Sequence, residues 1–151
     1  MRWLLDHGAD PNAKCRWRGG SVSQSNTPLQ FAAGFDDDAP LKLLLAYGAE
    51  MDPLALFHAI AVRGQRNGMA TTIALVEHGA DVNYVARFWA TPLDHAVKWG
   101  AKEKLIYLLE NGADPKGRAR SSEDTPAKFA RAKKKPELAK ILEEAEARQQ
   151  N

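Results

Sequence analysis

Four histidines, one cysteine, a short run of serines and a triplet of acids are the residues of this chain best suited to act on a substrate. A metal site needs ligands that share a face, as in His-x3-His, or a His close to a Cys. His7, His58, His78 and His95 have no such spacing, and none stands beside Cys15. A single thiol also excludes an internal disulfide and a four-thiol zinc site, which makes a reducing, intracellular setting, first of all the cytoplasm, the expectation. Ser21, Ser23 and Ser25 lack the Gly-x-Ser-x-Gly turn that exposes a nucleophile. Arg18-Gly19-Gly20-Ser21 lacks the Lys and the spacing of a phosphate-cradling loop. Asp36-Asp37-Asp38 has neither the Gly nor the second acidic group of a calcium loop, and three acids together suit the start of a helix. No catalysis, cofactor or metal is expected.

Binding chemistry is better represented. With 151 residues, 44% hydrophobic and 26% charged, the chain is too apolar for a disordered segment. A net charge of +2 does not advertise a polyanion as partner, so any electrostatic specialisation has to be local. No stretch approaches the roughly 20 apolar residues of a membrane span, and no membrane partner is expected. Cations gather at Lys14-Cys15-Arg16-Trp17-Arg18, at Lys116-Gly117-Arg118-Ala119-Arg120, and at Arg131 with Lys133-Lys134-Lys135. Basic residues beside an aromatic can hold phosphates and stack a base. Polyanion or nucleic-acid binding through Arg16, Arg18, Arg118 and Arg120 is therefore an alternative reading, ranked second because polar loops carry such charges anyway.

The elements that must position these residues are set by repetition. Leu4-Leu5-Asp6-His7-Gly8-Ala9-Asp10 returns as Leu44-Leu45-Ala46-Tyr47-Gly48-Ala49-Glu50, as Leu75-Val76-Glu77-His78-Gly79-Ala80-Asp81 and as Leu108-Leu109-Glu110-Asn111-Gly112-Ala113-Asp114. The glycines are 40, 31 and 33 residues apart. Thr27-Pro28-Leu29, Thr91-Pro92-Leu93 and the degraded Thr125-Pro126-Ala127 interleave with them, while Ala55-Leu56-Phe57 holds the same slot without Thr-Pro. A period of this size predicts stacked small units rather than one globular core. Each unit reads as two short helices. Thr91 caps the first, Pro92 suits its first position and Gly100 ends it; a second follows from about Lys102 to Asn111, stopped by Gly112. His7 and His78, just before terminating glycines, are placed to bond the last carbonyls of their helices.

This pattern resembles the ankyrin repeat, whose units open on Thr-Pro-Leu-His and close on Leu-Leu…Gly-Ala-Asp. The resemblance implies an all-α solenoid of helix-turn-helix units with β-hairpin finger loops. Residues 1–12 then form the second half of a truncated unit and 13–26 an extended first finger. Residues 27–124 hold three units starting near 27, 55 and 91, and 125–151 form a capping unit whose charged last helix faces solvent. The severed first unit suggests a fragment of a longer array, or a face covered by another copy through self-association. The second finger, between Gly48 and Ala55, is almost missing, and the lost length reappears at Gln65-Arg66-Asn67-Gly68. His58, in the motif's His position, is implied to tie adjacent loops.

Function follows from what the repeat displays. In this family the residues near the helix–helix turn face a concave groove: here Gly34-Phe35, Val62-Arg63, Lys98-Trp99 and Ala132-Lys133. Phe35, Arg63 and Trp99 are thereby expected along one groove, with Phe88 and Trp89 on a finger where a solvated turn is usual. Aromatics and Arg are the residue types enriched in binding hot spots. Arg16, Trp17 and Arg87 are secondary contacts, suited to an acidic partner surface. The expected function is non-enzymatic protein–protein recognition as a scaffold or adaptor, with a protein partner of unknown identity. A targeting module of a larger multidomain protein is the other alternative.

Overall fold

The computed structural model describes residues 1–14, 26–62, 68–87, 91–117 and 125–149, and they fold into two compact units, Met1–Ala80 and Asp81–Asn151. The first holds α1 (Arg2–Asp6), α2 (Pro28–Ala33), α3 (Ala39–Ala46), α4 (Ala55–Ala61) and α5 (Met69–Glu77). The second holds α6 (Pro92–Trp99), α7 (Lys102–Glu110), α8 (Pro126–Ala132) and α9 (Pro136–Arg148). Among the described residues the loops contain no strand, only isolated bridging residues at Asn26 and Ala86. No helix of the described residues is long and apolar enough to cross a membrane.

Helix starts follow the Thr-Pro signal. Thr27, Thr91 and Thr125 take extended backbone, and each hydroxyl accepts from a backbone N–H three residues on, with Pro in the first turn. At α6 the cap is reciprocal, because the Asp94 carboxylate accepts from both the Thr91 N–H (3.1 Å) and its hydroxyl (2.8 Å). Burial pushes the Asp94 carboxyl up from its ordinary value, and the Thr91 bonds oppose that shift. Helix α4 has no such cap: Leu54 stands at its start without a side-chain bond.

Helix ends follow the Gly-Ala signal. Gly112 has φ 88°, a left-handed conformation that only glycine adopts freely, and the next N–H, that of Ala113, reaches back to Leu108 O at 2.9 Å. The same bond recurs from Ala9 to Leu4 O (3.0 Å), from Ala49 to Leu44 O (2.9 Å) and from Ala80 to Leu75 O (2.9 Å). His7 and His78 each bond through Nδ1 to the carbonyl one turn back, Trp3 O and Ala74 O, at 2.7 Å.

Within the first unit α2 packs on α3 and α4, and α4 on α5, around Leu29, Leu41, Leu44, Leu56, Phe57, Ile60 and Leu75. Within the second, α6 packs on α7 and α8, and α8 on α9, around Leu93, Val97, Leu105, Leu108, Leu138 and Leu142. Buried alanines (Ala32, Ala33 and Ala59 in the first unit, Ala96 and Ala130 in the second) let the first helices of successive repeats approach closely. Asp36, Asp37 and Asp38 are occupied at the start of α3: they accept from Gly68 N–H (2.8 Å) and Ala39 N–H (3.0 Å), and pair with Lys42 (2.7 Å), respectively.

An asparagine clamp joins successive turns in each unit. Asn12 donates through Nδ2 to Gly48 O (3.1 Å) while its Oδ1 accepts from Glu50 N–H (2.8 Å). Asn83 does the same to Gly112 O (3.0 Å) and Asp114 N–H (2.7 Å). Each clamp is itself held by an acid two residues earlier, Asp10 or Asp81, at 2.8 Å. Asp52 holds the same register but has no N–H to give, and it accepts instead from the Thr27 hydroxyl (2.9 Å) and Gln30 Nε2 (2.8 Å). Asn83→Asp should therefore lose one bond and set a carboxylate against the Gly112 carbonyl. The expected cost is about 1 kcal/mol, with Asn83→Gln unable to restore it; urea denaturation followed by circular dichroism checks both. A variant as stable as the parent would mean that the clamp is incidental.

Candidate partner-binding surface

The first helices of three repeats each deliver one residue, eight positions after their Thr, to the helix–helix turn: Phe35, Trp99 and Lys133. Phe35 follows α2, and its carbonyl shares the Thr71 hydroxyl proton (3.2 Å) with Gly68 O (3.0 Å). Its side chain is 55% exposed, and Phe31, one turn earlier, is 47% exposed. Phe31 was not among the expected contacts, although its i, i+4 relation to Phe35 is visible in the sequence.

Trp99 is the last residue of α6 and is half-buried rather than standing free in solvent. Its indole N–H donates to His95 Nε2 at 2.8 Å, edge-on to the imidazole with centroids 5.9 Å apart. Accepting that bond requires a bare Nε2, so the ring proton of His95 sits on Nδ1. His95 is buried, one turn before Trp99, so the indole is held in one orientation. Arg87 is exposed at the end of the loop that follows Asn83. Arg16, Trp17, Arg63, Phe88 and Trp89 lie outside the described residues, as do Arg18, Arg118 and Arg120 of the polyanion reading.

The lysine turn after α8 divides into two roles. Lys135 turns back onto α6, donating through Nζ to Val97 O (2.6 Å), which also accepts the Gly100 N–H, and to Lys98 O (2.9 Å). Lys133 and Lys134 remain exposed. Lys98 and Lys133 lie over the Trp99 and Phe129 rings, 5.5 and 5.3 Å from their centroids. Elsewhere, burial pushes the His58 imidazole down from its ordinary value, opposed by the Asp52 carboxylate. Among the described residues no three of His, Cys, Asp and Glu gather as a metal site. On α1, Trp3 (66%) and Leu4 (56%) are exposed.

A groove of about 270 Å³ lies between α7 and α9, floored by Ile106, Leu109, Pro115 and Ile141, with Glu110, Glu144 and Arg148 at its edge. It shares no residue with the α6–α8 turn.

A family model described as ankyrin repeats, in three copies, matches residues 29–119. The ankyrin repeat protein nuc-2 of Neurospora crassa is 35% identical over 95 residues, which is 60% of this chain and 9% of that protein. The chain thus spans a small part of the length of this relative. Repeats of this kind are in general protein-interaction modules rather than enzymes. Capped first helices, Gly-Ala turns and a matched stretch covering three repeats all lead to one assignment: the chain belongs to the ankyrin-repeat family.

Proposed function

We propose that the chain is a non-enzymatic, intracellular scaffold or adaptor module that receives a protein partner along a concave groove, with hairpin fingers beside it. The observation that carries this reading is the shared register of Phe35 and Trp99, aromatic side chains at the same position of two first helices, one exposed and one oriented by a buried histidine. Rigid aromatics bind with little loss of side-chain entropy, which is why they dominate interface energetics. Arg63, Phe88 and Trp89 extend the contact, and Arg16, Trp17 and Arg87 steer an acidic surface toward it. The relative of which this chain covers 9% supports a place as a module in a larger protein.

The test is capture from cell extract of the source organism, followed by mass spectrometry, with the parent chain, Phe35→Ala and Trp99→Ala. Tyr47→Ala, just after the second helix α3, serves as a control away from the first helices. Partners should be retained at least tenfold less by the two groove variants, on the scale of about 2 kcal/mol for a hot spot. Retention that ignores Phe35 and Trp99 but drops with Tyr47→Ala would place binding on the other face and overturn the proposal.

A further inference from the structure

We propose that the C-terminal unit binds an acidic segment of a partner protein at the edge where α6 and α8 end, through the ammonium groups of Lys98, Lys133 and Lys134 beside Trp99 and Phe129. The inference rests on the groove reading above and adds the chemistry of what lands there. Helices α6 and α8 pack side by side, and the Lys135 bonds to Val97 O and Lys98 O bring the turn after α8 onto the end of α6. Lys98, Lys133 and Lys134 are therefore neighbours at one edge, and all three are exposed.

Two electrostatic facts favour an acidic ligand at this edge. Several cations of the unit have acidic partners: Lys102 pairs with Glu137, Arg131 with Glu143 at 2.5 Å, and Lys140 approaches Glu144 at 4.0 Å. Among the described residues, Lys98, Lys133 and Lys134 form no ion pair, and two of them rest on aromatic rings instead. In addition, the negative end of the α6 dipole, which would offset free lysines, is already covered by the Lys135 ammonium. The one acid of α6, Asp94, is engaged in its cap, α8 has none, and Glu137 in the first turn of α9 pairs with Lys102. Like charges held together repel, and an acidic ligand relieves that repulsion.

The backbone adds an independent observation. Lys134 has φ 57° and is the one non-glycine with positive φ among the described residues. It occupies the turn position that Gly100 (φ 70°) fills after α6, with the same closing bond: Lys135 N–H to Ala130 O at 3.0 Å, Ala101 N–H to Ala96 O at 2.9 Å. A lysine there costs stability that glycine would not, and strain of this kind concentrates where a side chain has a task. A protein carboxylate fits better than a nucleic acid. Base stacking needs an open aromatic face, whereas Trp99 and Phe129 are half-buried and their faces are already met by lysines.

Fluorescence anisotropy on the full chain tests this with three labelled probes: a peptide rich in Glu and Asp with two phenylalanines, the same peptide with Gln and Asn, and an oligo(dT) strand. The acidic peptide should bind, and binding should weaken as ionic strength rises. It should fall about tenfold or more in the Lys98→Ala, Lys133→Ala, Lys134→Gly triple variant. Lys134→Gly alone should raise the melting temperature yet weaken binding, a combination that damage to the fold does not produce. Equal binding of the Gln/Asn peptide, tighter binding of oligo(dT), or indifference to the lysine changes each overturns the inference. If the lysines govern the peptide while partner capture ignores Phe35 and Trp99, the groove reading alone has failed. If capture needs those aromatics and the peptide ignores the lysines, this inference alone has failed.

Discussion

Phe57→Ala should destabilise the N-terminal unit by about 3–5 kcal/mol. Phe57 is 0% exposed and stands where the other first helices have Leu29, Leu93 or Ala127. Its helix, α4, starts without a threonine cap or a proline, and a missing cap is itself worth about 1 kcal/mol. A seven-residue helix is far below the length that is stable alone in water, so α4 depends on the burial of Leu56, Phe57 and Ile60. Truncation to alanine leaves a cavity that neighbours with fixed backbones fill only in part. Chemical denaturation followed by far-ultraviolet circular dichroism gives the number, and a loss below about 1 kcal/mol would show that the site collapses onto a smaller side chain. Phe57→Leu, which restores the residue type found at Leu29 and Leu93, should recover a large part of the loss.

Leu108→Ala is the counterpart in the C-terminal unit, with an expected loss of about 2–5 kcal/mol. Leu108 is 0% exposed on α7, and its carbonyl also accepts the Ala113 N–H that closes the Gly112 turn. The side chain and the turn thus fix the same residue, although the substitution removes only the first. Its neighbour Leu109 is half-buried, so Leu109→Ala should cost clearly less. Leu44, at the same repeat position in the other unit, is 2% exposed and should behave like Leu108. Equal losses at Leu108 and Leu109 would mean that the inward face of α7 has been assigned wrongly.

Much of this organisation was legible in the sequence because specific residue types are forced by backbone conformation. Gly8, Gly48, Gly79 and Gly112 mark helix ends because each has φ between 84° and 89°. Thr27, Thr91 and Thr125 mark helix starts because a hydroxyl can accept an N–H three residues on. The histidines before Gly8 and Gly79 bond carbonyls of their own helices, a local relation that spacing reveals. Lys134 was hidden for the converse reason, since nothing about a lysine announces a left-handed backbone. Lys135 looked like one cation in a run of three, because its partners at Val97 and Lys98 are distant in sequence. Trp99 was placed correctly at the end of its helix, but not its anchorage, although His95 and Trp99 are one turn apart. The clamp residues Asn12 and Asn83 recur at the same distance after Gly8 and Gly79; their purpose depends on a turn in the following repeat, which periodicity alone does not connect to them.

The bonds from Lys135 change where this chain can be cut. A repeat is defined by the recurrence of its letters, and by that measure the one containing α6 and α7 ends before Thr125. Yet the last carbonyls of α6 are satisfied by an ammonium 37 and 38 residues further on. A shortened chain that stops at the repeat boundary would keep α6 and its Gly100 turn but lose the ammonium on Val97 O and Lys98 O, leaving those carbonyls to water. For anyone dividing the protein into pieces, the indivisible segment therefore runs at least to Lys135, and the final helix pair is a working part of the helix before it.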